Sequence, residues 1–290
     1  MIEYVFHILI ITGFYMILTM SLNLIVGYTG LPDLGHAAFY CIGAYVSALL
    51  ALNWGISPWI GLLFGACCAA FFGGIVGSPL LRLKGDYLAL ATFGFGVIVY
   101  SSVLNWMPLT RGPLGLIGIP GFSLFGIDFS NNGTYLILVA VFVVVTYIIL
   151  SRIDHSPFGR ILRGIREDEI AVQSLGKNVG KYKLITFIIG ALFAGIAGSL
   201  YAHYILYISP SSFTVMESII ILLMVVFGGL GSFKGSLLGA SILVIFPEFL
   251  RFVGLPGSIS GPFQQMIFGL MLIVLILKRP QGILGNYRFG

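Results

Sequence analysis

Three stretches of this 290-residue chain, 34–81, 184–216 and 252–277, contain no Asp, Glu, Lys or Arg. Each is long enough for at least one helix of the ~20 apolar residues that cross a bilayer. The runs are continuous, whereas barrel strands alternate over about 10 residues, so they read as helices. Across the chain 58% of residues are hydrophobic and only 9% are charged. A soluble domain carries about 25% charged residues, so a soluble enzyme and a disordered tail are excluded. The net charge is +5 and the pI about 9.1. The few charges are scattered and form no phosphate-binding face, so nucleic acid is not an expected partner. The expected fold is all-α: a polytopic transmembrane helical bundle, one domain over 1–290, with the lipid bilayer as its solvent.

Nine spans are expected at 4–26, 35–53, 59–80, 87–107, 133–151, 184–206, 214–231, 235–252 and 260–277, within a range of eight to ten. The run 4–26 is too long for a secretory signal, and no basic residue precedes it. If 152–183 and the C-terminal tail are cytoplasmic, every basic residue except Arg111 and Arg251 lies inside. Nine spans then put the N-terminus outside. The external segment 108–132 is rich in Gly and Pro, which favours an irregular lid over a helix. The cytoplasmic segment 152–183 is the most charged stretch, with seven basic and four acidic residues. The stretches LIVGYTGLPDLG (24–35) and LMVVFGGLGSFKG (223–235) echo each other. Such repeats occur in transporters beside interrupted helices, and chance similarity of Gly-rich strings competes with that reading.

Motifs for catalysis are missing. The chain has no H-E-x-x-H, no G-x-S-x-G and no G-x-x-x-x-G-K-[ST], and His7, His36, His155 and His203 are far apart in sequence. No enzyme activity, metal site or cofactor is expected in this chain. ATP-driven work requires another chain to hydrolyse the nucleotide. Cys41, Cys67 and Cys68 read as packing residues inside apolar runs. Carboxylates are scarce within the spans: Glu217 and Glu248 fall near expected span ends, and Asp33 and Asp86 at turns. That scarcity disfavours an ion-driven carrier.

In 152–183, Ser156-Pro157 predicts a helix start and Gly176 a stop. Ile161, Ile165, Val172 and Leu175 fall near one face. Arg163 and Glu167 make an i,i+4 pair on another. Gly164 is a candidate break between two short helices. A charged amphipathic element between two spans suits docking onto a soluble partner; a helix resting on lipid headgroups fits equally well.

The stretch GRILRGIREDEIAVQSLGKNVGKYKL (159–184) resembles the coupling loop of ABC-importer permeases. The matching residues are Glu169, Ala171 and Gly176, with Arg166, Glu167 and Asp168 just before them. Arg163 is taken with this coupling set. Further stretches resemble the LivM-type permeases of branched-chain amino acid importers: 21–45, 83–96 (LKGDYLALATFGFG), 110–121 (TRGPLGLIGIPG), 209–240 and 278–285 (KRPQGILG). Together they span nearly the full length. Members of that family often carry Glu after the GFG of the fourth span, where this chain has Val97. Asp33 stands where a small polar residue is usual.

The resemblance implies half of a permease pair, with a homologous second permease subunit. It implies two cytoplasmic ATPase subunits that hold ATP and Mg, and an external substrate-binding protein. The location implied is the plasma (inner) membrane of a bacterium or archaeon, and the cargo Leu, Ile, Val or a related amino acid. Competing readings are the same machinery carrying urea, short amides or a sugar, an ion-coupled secondary carrier, and a membrane scaffold.

For the substrate pathway the candidates are Thr29, Asp33, His36, Tyr87 and Thr92. Thr29, Asp33 and His36 fit a broken-helix element, where freed backbone groups and the Thr29 hydroxyl meet a zwitterion. An ordinary turn, with Asp33 capping the second helix, fits the same residues. Asp86 reads as an N-cap of the fourth span. Thr92 can supply a polar group in an apolar path, while the aromatic residues around it, Tyr87 among them, equally suit packing. Gly190, Ala194 and Gly198, with Ala202, recur every four residues and predict close helix packing. Tyr201, Tyr204 and Tyr207 fit an interfacial aromatic belt.

Overall fold

The structure, a computed structural model, describes residues 2–80, 82–83, 85–124, 127–252, 266, 269–270 and 281–285. The apolar runs form long helices: α1 (Ile2–Thr29), α2 (His36–Trp54), α3 (Pro58–Leu80) and α4 (Asp86–Asn105). The Gly- and Pro-rich segment follows with α5 (Met107–Thr110), a 3-10 turn (Gly112–Leu114) and strands β1 (Leu116–Ile117), β2 (Ser123–Leu124) and β3 (Ile127–Asp128). Next come α6 (Asn132–His155), α7 (Pro157–Glu167), α8 (Glu169–Ser174) and α9 (Val179–Ile205). The described elements end with β4 (Tyr207–Ile208), a 3-10 turn (Pro210–Phe213), α10 (Val215–Gly228) and α11 (Phe233–Phe252).

Among the described residues, seven helical stretches are long and apolar enough to cross a membrane: α1–α4, α6, α9 and the run Pro210–Gly228. The protein is a mostly helical, polytopic chain. Helix α11 occupies the eighth expected span. Of the ninth, 260–277, only residues 266 and 269–270 are described; Lys84, Lys278, Arg279 and Arg288 of the charge-bias argument lie outside the described residues.

At the centre, α2, α3 and α9 pack through small residues, which let backbones approach closely. A Cβ added to Gly198 would collide with the Tyr40 carbonyl of α2, and one added to Gly43 with the Gly195 backbone of α9. Gly190 faces Ile25 and the Ser21 carbonyl of α1, and Ala194 and Ala202 are fully buried. Helix α1 fills the space beside α9, burying Phe14, Ile17, Leu18, Leu22 and Ile25. Helix α4 stands at the margin: only Leu88, Thr92 and Gly96, spaced four apart, are buried.

One end of the bundle joins the start of α1 to the ends of α9 and α11. There Tyr4 bonds Glu248, Asn132 bonds Glu3, and Tyr204 bonds both His7 and Asn132. Residues 107–124 and 127–131 cap this end. Strand β1 pairs with β4, and β2 with β3. His203 of α9 pins the cap, contacting the Pro120 carbonyl at 2.6 Å through one ring nitrogen and Ser47 at 2.7 Å through the other. The aromatic-belt expectation needs correction. Tyr201 packs inside against Phe14, Tyr40 and Phe213, and Tyr204 against Phe14 and Tyr135. Of the three, only Tyr207 is exposed.

The other end holds Thr29, α7, α8 and the start of α9. It also holds residues 281–285, whose Ile283 and Leu284 amides bond the Phe227 and Gly228 carbonyls. The two echoing stretches meet here. Asn23 donates to the Gly229 and Ser232 carbonyls and accepts from the Gly231 amide.

Candidate functional site

The charged segment folds as two short helices lying across one end of the bundle. Ser156 caps α7, its hydroxyl accepting from the Gly159 amide, with Pro157 at the first position. Leu162 and Ile165 are buried against the bundle. The break between the helices falls at Asp168, not at Gly164. Asp168 is extended (φ −152°), and its carboxylate accepts from the Ile170 and Ala171 amides at 2.9 and 3.0 Å. That bond pattern is an N-cap, and it starts α8. Gly164 stays helical, where its missing Cβ leaves room for Val172. Gly176 takes φ +75°, a left-handed turn that glycine adopts freely, and Asn178 then caps α9.

Several charges of this segment are turned to the bundle. Arg163 pairs with Asp154 of α6 rather than with Glu167, correcting the i,i+4 expectation. Arg166 donates to the Gly27 carbonyl near the end of α1. Glu169 pairs with Lys183 of α9 at 2.6 Å. The outward face is different. Ile170 and Leu175 are 74% and 78% exposed, with Glu167, Ala171 and Gly176 exposed around them. Leu175 therefore leaves the buried stripe where periodicity put it; Leu162 takes part in that stripe instead. A cleft of about 460 Å³ is lined by Arg166, Asp168 and Glu169 together with Thr29–Pro32 and the start of α4.

Residues 30–35 turn back into the bundle. Thr29 ends α1, yet His36, which begins α2, contacts Ser21 of α1 at 2.8 Å. Eight residues separate Ser21 from Thr29, so α2 starts about 12 Å inside the end of α1. Three neighbours hold this segment. Ser21 contacts His36, Thr92 of α4 accepts from the Leu34 amide at 3.0 Å, and Ser218 of α10 accepts from the Ala37 amide at 2.9 Å. Asp33 accepts from the Gly35 amide and sits 3.2 Å from His36. It does not cap α2 in the ordinary way: the N-cap is Gly35, and Ser218 serves the first turn from another helix. Asp33, His36 and Thr92 are all at most 1% exposed. The Thr29 hydroxyl bonds back to the Ile25 carbonyl. Tyr87 stands apart, 74% exposed on the first turn of α4. Asp86 is the first helical residue of α4, not its cap; Gly85 holds that place.

A second polar group lies deeper. Glu217 sits at the start of α10 and accepts from the Tyr15 hydroxyl at 2.5 Å. Tyr15 is at the middle of the 28-residue α1, about 20 Å from either end. Hydropathy alone gives Glu217 a span end, because 207–214 reads as the tail of an outer loop. That segment instead packs inward, with Phe213 against Tyr40, Tyr45 and Tyr201. Lys183, Ser21, Ser218 and Asn23 also escape sequence reading: each is a lone polar residue in or beside an apolar run, and only its partner gives it meaning. Among the described residues no group of three or more His, Cys, Asp or Glu side chains is placed to hold a metal. The cysteines are free, with Cys41 buried and Cys67 exposed.

Residues 4–276 match the family described as the permease component of branched-chain amino acid transport systems. The high-affinity branched-chain amino acid transport system permease protein LivM of Escherichia coli K12 is 38% identical; the alignment covers 94% of this chain and 68% of that protein. The probable LivM of Methanocaldococcus jannaschii is 27% identical over 98% of this chain and 94% of its own length. The permease protein LivH of Escherichia coli K12 is 26% identical, with 94% of this chain and 91% of LivH covered. No solved structure matches the chain.

Proposed function

This chain belongs to the family of branched-chain amino acid transport permeases, and from that premise we propose that it forms half of an ATP-driven import path for Leu, Ile, Val or a related amino acid. Its partners are a homologous permease subunit, two cytoplasmic ATPases carrying ATP and Mg, and an external binding protein. Likeness to both LivM and LivH supports a pair of related permease chains. The chain itself hydrolyses nothing. It is one transmembrane domain in the plasma (inner) membrane of a bacterium or archaeon, crossing nine times with the N-terminus outside and the C-terminus inside. Glu248 lies near Tyr4 at one end while 281–285 lie at the other, and an odd number of crossings reconciles the two.

The observation that carries this reading is the two-faced α7–α8 segment. Arg163, Arg166 and Glu169 hold its inner side to α6, α1 and α9. Ile170 and Leu175, beside Glu167, Ala171 and Gly176, are left for a soluble partner. Asp168 keeps the two faces in register. Movement of α8 then passes through Arg166 to the end of α1, which leads directly into 30–36. That segment carries Asp33 and His36, follows Thr29, and touches Thr92; with Tyr87 at the inner mouth these residues border the path. Gly190, Ala194 and Gly198 keep α9 rigid against its neighbours while this happens. Nucleotide shifts the access equilibrium only through its different affinity for the two states, so the linkage from α8 to α1 must be stiff.

The test is uptake of labelled leucine into proteoliposomes holding the full complex. Uptake is expected only with ATP and active ATPases, and a Leu175→Cys variant is expected to cross-link to an ATPase subunit. Uptake by this chain alone under an ion gradient would overturn the proposal in favour of a secondary carrier.

A further inference from the structure

Glu217 is a carboxylate in an apolar bundle with one hydrogen-bond donor, Tyr15, among the described residues. An ionised carboxylate removed from water is costly unless paired, and in membrane proteins such groups face water-filled paths or bound ligands. Its surroundings are aromatic and polar. Tyr40 and Tyr201 both lie within electrostatic reach of it. Tyr201 is bonded by Ser212, and Tyr40 packs on Phe213 with ring centroids 4.9 Å apart. Tyr40 is only 5% exposed. Among the described residues no Lys or Arg pairs with the carboxylate: the Lys and Arg pairings above all lie at the other end of the bundle. Glu217 and Tyr15 remain half-open in this chain.

We propose that Glu217, with Tyr15 and Tyr40, is a membrane-embedded subsite for the α-ammonium group of the transported amino acid. A carboxylate and tyrosine oxygens accept from an ammonium, and the aromatic faces of Tyr40, Tyr201 and Phe213 favour a cation beside them. The Asp33 carboxylate cannot serve in the same way, because the Gly35 amide and His36 already occupy it. The subsite rests on the reading of the chain as an amino acid permease.

The test uses the complete complex in proteoliposomes. Glu217→Gln is expected to lower ATP-driven leucine uptake about tenfold or more, the worth of one charge-assisted hydrogen bond, with assembly unchanged. Tyr15→Phe is expected to lower it less. A second readout follows the ligand itself: a Ser212→Cys complex is labelled with a thiol reagent. Leucinol, which has the ammonium and no carboxylate, is expected to slow labelling. The hydroxy acid lacking the ammonium is expected to have no effect, and Glu217→Gln is expected to abolish leucinol protection. Wild-type uptake from the Gln variant, protection that survives the substitution, or loss of assembly in the Gln variant would each overturn the subsite. Failure of the wild-type complex to import leucine would instead overturn the function.

Discussion

Replacing Asp168 by Ala removes the cap on which α8 depends. Helix α8 has six residues, far fewer than the ~12–15 that an isolated helix needs in water. Besides the Glu169–Lys183 ion pair, two features hold it. One is burial of Val172, its only buried residue, contributing about 1.5–3 kcal/mol. The other is the pair of bonds from the Ile170 and Ala171 amides to the Asp168 carboxylate. Loss of an N-cap costs about 0.5–2 kcal/mol. The cap is thus a large share of the local stability, and its removal lowers the ordered-to-disordered ratio of α8 by about 2–30-fold. A partner that binds only ordered α8 loses affinity once the ordered fraction falls well below one. The assay is titration of purified ATPase subunit against the permease pair in nanodiscs. Asp168→Ala is expected to weaken binding several-fold with bundle melting unchanged. Asp168→Asn keeps an oxygen acceptor and is expected to bind within about twofold of wild type. If Asn and Ala are equally defective, Asp168 acts through its charge and the capping argument is wrong. If Ala binds normally, α8 does not need to be ordered for docking.

Two further substitutions test the inner anchor and the helix core. Lys183→Met leaves Glu169 half-buried without its partner and is expected to lower stability by about 1–3 kcal/mol, with Glu169→Gln in the same chain restoring much of it; thermal unfolding of the four variants gives the coupling directly. Gly198→Ala is expected to destabilise by about 1–3 kcal/mol, because the new methyl meets the Tyr40 carbonyl and the Ala44 amide, whereas Gly94→Ala meets nothing within 4 Å and is expected to be neutral or stabilising in the same melting assay.

The long helices were legible because charge-free runs leave the backbone no alternative in lipid but to satisfy itself. The start of α7 was legible at Ser156-Pro157 for the same local reason: its cap is one residue bonding the next turn. The break at Asp168 was not, because glycine at 164 looks like the weaker helix former, while a cap acts from outside the helix it starts. Glu217 does fall at the start of α10, but its pairing with Tyr15 in the middle of α1 was hidden for a non-local reason. Hydropathy measures distance along the chain, and the inward fold of 207–214 shortens that distance without changing composition. The helix-starting role of Ser218 was likewise invisible, since Ser218 and the Ala37 amide it serves are 181 residues apart.

The division of labour across α7 and α8 bears on how such a machine diversifies. Ionic residues fasten the arm to its own bundle, so they are free to drift only together with Asp154, Gly27 and Lys183. The tip at Ile170 and Leu175 is largely exposed. Changes there can re-address the arm to a different motor while the channel-forming helices stay as they are, and changes among the helices can alter cargo without disturbing that address.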